Sequence, residues 1–128
     1  SEALLREEMA SPMRSRRIRS IAIAEAMGLV VQLEDALVIL AADEDHLVRL
    51  EAVTLLAQCS GVLGRRALES ALNDRSVPVR EAARRSLFQR DLLNLDLSGS
   101  LSSASSQASP TPQASPASRS SPALESGE

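Results

Sequence analysis

Two stretches of this chain decide its fold: ALVILAADEDHLVRLEAVTLLAQ at residues 36–58 and ALESALNDRSVPVREAARRSLFQ at residues 67–89. Laid on each other at an offset of 31, they share eight identities in 23 positions. Ala36 falls on Ala67, Leu37 on Leu68, Asp43 on Asp74, Val48-Arg49 on Val79-Arg80, Ala52 on Ala83, Leu56 on Leu87 and Gln58 on Gln89. Self-similarity at a period near 30 marks a repeat architecture, in which each unit is one supersecondary element. A weaker copy lies upstream. At an offset of 30, Ile18-Arg19 falls on Val48-Arg49 and Ala22 on Ala52.

The apolar spacing inside the unit is helical. Leu33, Ala36, Leu37, Leu40 and Ala41 form one stripe, and Leu47, Leu50, Val53 and Ala57 another. Ile18, Ile21, Ala22 and Ala26, and Val79, Ala82, Ala83 and Leu87, repeat the pattern. A period near 3.6 residues places these side chains on one face of a helix, and no run alternates as a strand would. The punctuation agrees. Ser11, Asp45 and Ser76 are placed as N-caps, Pro12 and Pro78 in first turns, and Gly28 and Ser60-Gly61 at helix ends. The expected fold class is all-α.

This unit resembles the short, bacterial-type HEAT repeat, on the residues Asp43…Val48-Arg49…Ala52…Leu56 and Asp74…Val79-Arg80…Ala83…Leu87. The resemblance implies an α-solenoid of two to three helical hairpins, at about 2–28, 31–60 and 62–90. It also implies a ladder between repeats that includes Asp43, Arg49, Asp74 and Arg80. Arg19 matches the arginine position in the first repeat, where Ser11-Pro12-Met13 stands in place of the aspartate. Second helices line the concave face of such solenoids. By that resemblance Arg16 and Arg17, and Arg84 and Arg85, face a partner with an acidic segment. The first repeat lacks a convincingly polar outer face, so a fragment of a longer protein is expected.

Composition bounds the rest. The chain has 128 residues and a net charge of −3; all 14 basic residues are Arg, and Phe88 is the one aromatic. Nucleic-acid binding is not expected of an acidic chain without stacking aromatics. The longest apolar run, Ala36 to Ala42, is far below the ~20 residues of a membrane span. One cysteine, Cys59, excludes a disulfide framework, and the acidic start Ser-Glu-Ala does not read as a signal peptide. A cytoplasmic location follows as the expectation. His46 and Cys59 stand 13 residues apart on one predicted helix, roughly 20 Å, too far for a nucleophilic dyad. Two such ligands do not make a zinc site. Gly61-Val-Leu-Gly64 lacks the length and lysine of a phosphate loop. No catalytic, metal or cofactor-binding residue is expected.

Composition breaks near Leu97: from Ser98 on, 12 of 31 residues are Ser and four are Pro. The reading is a folded domain at 1–93 and a disordered linker or tail at 94–128, because such a segment buries too little surface to offset the entropy of ordering. Leu92, Leu93, Leu95 and Asp96 also resemble the clathrin-box peptide of eukaryotic adaptors. The expected function is protein–protein interaction, with weak self-association through an uncapped end. The alternatives are a bilin-lyase-like ligand handler, a regulatory domain of a larger enzyme or membrane protein, and an adaptor-like module.

Overall fold

A computed structural model describes residues 1–98 of the chain, with side chains through Leu95. The described residues are all-helical, with no strand. Six α-helices follow in order: α1 (Glu2–Met9), α2 (Arg14–Ala26), α3 (Glu34–Leu40), α4 (His46–Leu55), α5 (Val62–Ala71) and α6 (Val77–Ser98), with a 3-10 turn at Leu56–Gln58. Ser1–Arg90 forms one compact unit and Asp91 opens a second. Within the first unit the helices pair as α1/α2, α3/α4 and α5 with the start of α6. None of the described helices is long and apolar enough to cross a membrane.

Local chemistry sets the boundaries. The Asp45 carboxylate accepts from Leu47 N (2.8 Å) and Val48 N (3.2 Å), capping α4 as its position predicts. Gly28 ends α2 at φ +71. Its N–H donates to Glu25 O and Leu29 N–H to Ala24 O, the paired bonds of a Schellman turn that needs a left-handed residue. Two expected boundaries shift. α2 starts at Arg14 with Met13 as its cap, because the Ser11 hydroxyl is spent on Met13 N–H inside the turn. Gly61 does not end a helix; it precedes α5. Helix α6 also runs through Ser98, five residues past Leu93.

Each hairpin closes on the same core positions. Leu5, Leu37 and Leu68 are buried, as are Ser20, Ala52 and Ala83. The second set is small in all three repeats, which lets the helices of a pair approach closely. The buried Ser20 hydroxyl donates back to Arg17 O at 2.7 Å.

Burial along the repeats gives the direction of stacking. Leu40 and Ala71 are buried, but their counterpart in the first repeat is Glu8; Val48 and Val79 are buried, but their counterpart is Arg16. Positions closed in repeats two and three and open in repeat one face the preceding repeat. Glu8 and Arg16 pair with each other at 3.6 Å on that face. Conversely, Ile21 and Val53 are buried and their third counterpart, Arg84, is exposed. That position faces the following repeat. Charge therefore stands at both ends of the stack where inner repeats bury hydrocarbon. The first repeat is polar at its outer face after all; the signal is the pair Glu8 and Arg16 at non-adjacent positions.

Candidate functional site

The three turns between paired helices are built alike. In each, the first side chain folds back on the backbone two residues ahead. Ser11 Oγ accepts from Met13 N (3.0 Å), Asp43 Oδ2 from Asp45 N (2.9 Å) and Asp74 Oδ1 from Ser76 N (2.8 Å). Six residues after each turn residue comes an arginine that donates Nη1 to its carbonyl. These are Arg17 to Ser11 O (3.0 Å), Arg49 to Asp43 O (2.9 Å) and Arg80 to Asp74 O (2.7 Å).

The free edges of the first two arginines reach the next turn. Arg17 donates Nη2 to Asp43 Oδ2 at 3.1 Å, and its Nε lies 3.0 Å from Oδ1 as an ion pair without hydrogen-bond alignment. Arg49 lies with Nε 2.8 Å from Asp74 Oδ2 and Nη2 3.0 Å from Oδ1. A planar fork against a planar carboxylate is the strongest geometry this pair of groups has. Burial pushes the Asp74 carboxyl up, but hydrogen bonds from Arg49 and from Ser76 N–H outweigh it, so the group stays below the usual carboxylate range.

This corrects two expectations. Arg17 does not face a partner: it is buried and is the first rung of the ladder. Arg19, matched to the ladder at an offset of 30, is exposed and forms no rung. The true offset is 32, because a two-residue shift is what brings Arg17 six residues from its own turn. Of the remaining ladder positions, Asp43 pairs with Arg17 and Asp74 with Arg49.

Arg80 occupies the third position without a carboxylate among the described residues. Arg66, Arg84 and Arg85 are exposed with no ion pair among the described residues, and Arg75 is exposed beside Asp74, whose carboxyl its charge helps to lower. Arg6, Arg14, Arg16, Arg17 and Arg49 by contrast all pair with acids. Arg6 bridges repeats through Asp35 at 2.9 Å; its hydrogen bond is the main reason the Asp35 carboxyl is lowered. Exposed arginine without an ion pair is thus concentrated in the third repeat, although Arg19 stands exposed in the first and Arg65 pairs with Glu69 in the third.

A groove of about 660 Å³ runs between α3 and α5 beside the Arg49–Asp74 rung. Val38, Ala41, Ala67 and Ala71 line its apolar part, and Arg66 and Arg75 its rim. A smaller groove of about 330 Å³ repeats beside the Arg17–Asp43 rung.

The Gly61-Val-Leu-Gly64 segment has a structural explanation. Glu34 of α3 lays its carboxylate over the start of α5, accepting from Gly64 N at 3.2 Å. A methyl group at Gly64 would lie 2.3 Å from Glu34 Oε2, and one at Gly61 would lie 2.6 Å away. Two glycines three apart therefore admit a carboxylate cap from the preceding repeat. Arg90, buried, ties the same place to α6 by donating Nη2 to Gly61 O at 2.8 Å. Cys59 is buried nearby; burial and the Glu34 charge push its thiol up to about 11, which leaves it an unreactive core residue at neutral pH. His46 is exposed in the first turn of α4.

Leu92, Leu93 and Leu95 lie exposed on α6. Asp96 is on the same helix, its side chain outside the described residues. No set of three or more His, Cys, Asp or Glu side chains among the described residues is placed to hold a metal. No protein-family model matches the chain, and neither a curated protein nor a solved structure does.

Proposed function

We propose that this chain is a non-enzymatic helical-repeat module of HEAT-like type that binds an acidic segment of another protein in the cytoplasm. The observation that carries the reading is the exposed arginine of the third repeat: Arg66, Arg84 and Arg85 stand exposed without an ion pair among the described residues, with Arg75 exposed beside Asp74. An exposed guanidinium with no internal carboxylate keeps its full capacity for a bidentate contact. A rigid helical stack presents such groups without further ordering cost.

The test is a pair of variants in the full chain. Arg84→Glu with Arg85→Glu reverses the charge at two exposed positions and leaves every rung intact. The protein that co-purifies with the wild-type chain is expected to be lost by about tenfold, as removal of charge-assisted contacts at an interface predicts. The far-UV circular dichroism stays unchanged. Undiminished retention rejects this surface as the binding element.

A further inference from the structure

We propose that Arg80 is an open rung: it takes an aspartate from a turn between two helices of a partner protein and seats that partner on the C-terminal end of the stack. This rests on the protein-binding reading above and names its chemistry.

The argument is the comparison of three equivalent guanidinium groups. Arg17, Arg49 and Arg80 each fix Nη1 on the carbonyl six residues back. Arg17 and Arg49 then offer the Nε/Nη2 edge to an aspartate of the next repeat. Arg80 is anchored in the same way, at 2.7 Å, and its Nε/Nη2 edge has no acceptor among the described residues. An arginine held at one edge has already given up most of its rotamer freedom, so binding a carboxylate at the other costs little further entropy. The ligand such an edge fits best is a planar carboxylate accepting two bonds. Arg84 stands exposed one turn on, where the first two repeats bury Ile21 and Val53. The end that receives the occupant is therefore basic rather than apolar, which selects an acidic and hydrophilic surface.

Two other occupants fit poorly. A second copy stacked in register would present Ser11 where Asp43 and Asp74 stand, and so brings no carboxylate to the rung. Residues 99–128 contain no aspartate; their acids are Glu125 and Glu128. The anchored, basic edge of Arg80 favours an aspartate carried by another protein.

The absence of lysine makes a direct test possible. Arg80→Lys in the full chain introduces its only side-chain amine. A carbodiimide then joins that amine to any carboxylate in contact with it, and mass spectrometry of the complex isolated from source cells identifies the acid. The expected product is an amide to an aspartate between two helices of another protein. Arg80→Gln is expected to lower retention of that same protein by about tenfold, since it removes a charge-assisted bidentate contact. A link to Glu125 or Glu128, a link to a second copy of the chain, or no link at this position overturns the proposal. Loss of the partner in Arg84→Glu with Arg85→Glu without any link at position 80 removes the open rung and leaves the binding surface standing. Retention through all three variants removes both.

Discussion

Arg49 and Asp74 lie 25 positions apart in sequence and meet edge to edge, Nε to Oδ2 at 2.8 Å and Nη2 to Oδ1 at 3.0 Å. Their side chains are only 5% and 10% exposed, so this pair is not a surface ion pair. Desolvation of both groups is balanced by two short bonds to each other and by the backbone partners of each: Asp43 O and Glu44 O for Arg49, Ser76 N–H for Asp74. A pair of this kind adds little over a well-packed apolar pair, but removing one partner strands a buried charge.

Arg49→Leu is therefore expected to destabilise the domain by about 3 kcal/mol, the usual cost of leaving one buried charge alone. Arg85→Leu, at an exposed position, is expected to change stability by less than about 0.5 kcal/mol. Urea unfolding of both variants checks the contrast. Similar midpoints for the two would show that the rung carries no more than a surface contact.

Acid should loosen the stack through the same carboxylates. The Asp74 group is held below its ordinary value of 3.8, as is Asp45, which burial alone would raise but which hydrogen bonds from Val48 N–H, Leu47 N–H and Arg14 lower. A depressed folded value means that the native state binds the proton less readily than the unfolded chain. Its stabilisation is complete above the unfolded value, near pH 4, and is lost as pH falls through the lower folded value. Thermal melts are expected to be level from pH 7 to about 5 and to fall below about 4, the unfolded carboxylate range. Asp74→Asn should start less stable and lose less on acidification. A parallel fall in both proteins would place the acid sensitivity elsewhere.

Much of this architecture is legible in the sequence, and the illegible parts have a common cause. The second and third repeats announce themselves because their turns use the same residue, aspartate, at Asp43 and Asp74, and their arginines follow a buried valine, Val48 or Val79. The first repeat changes both signals. Ser11 replaces the aspartate, keeping the turn through its hydroxyl but losing the charge, and Arg16, paired with Glu8, replaces the valine. Ile18-Arg19 then imitates Val-Arg two positions too late. What fixes the register is the carbonyl of Ser11 accepting from Arg17, and a backbone carbonyl has no sequence signature. The binding candidates divide the same way: Arg84 and Arg85 are as exposed as their positions suggest, whereas Arg17 is claimed by Asp43, a contact across 26 positions. The Glu34 cap on α5 was likewise hidden, its one trace being two glycines three residues apart.

Gly64 gives a test of that cap in which two effects oppose. Gly64 lies inside α5, where alanine is better than glycine by about 1 kcal/mol. Against this, the new methyl displaces the Glu34 carboxylate from the helix start, and a lost cap also costs about 1 kcal/mol. Gly64→Ala is expected to be near neutral in the wild-type chain and to stabilise by about 1 kcal/mol in a Glu34→Ala background, where the propensity gain remains and the other close neighbour, Arg90 Nη1 at 3.0 Å, is the far end of a flexible side chain that can give. A double-mutant cycle by chemical denaturation reads this directly. Equal effects in both backgrounds would mean that Glu34 does not cap α5.

The charged ends of the stack make the last prediction. Inner repeats bury Leu40 and Val48 toward the preceding repeat and Val53 toward the following one, and the ends substitute Glu8, Arg16 and Arg84. Repeat stacks need polar outer faces because an apolar end is a template for another stack. Converting Glu8→Leu, Arg16→Val and Arg84→Val together gives each end the side chains of an inner repeat. The two ends then match in shape and in hydrophobicity, and the contact is heterologous, so it does not close on itself. The triple variant is expected to form concentration-dependent head-to-tail chains in sedimentation velocity, whereas the wild-type protein keeps one sedimentation coefficient over the same range. Adding Ser11→Asp to the triple variant supplies the missing carboxylate opposite Arg80 and should tighten association by about tenfold, the effect of one charge-assisted bidentate contact. Reverting only Arg84 should disperse the chains, since a guanidinium with no acceptor is too costly to bury in a hydrocarbon interface. A triple variant that sediments like the wild-type protein would show that the end positions do not govern stacking.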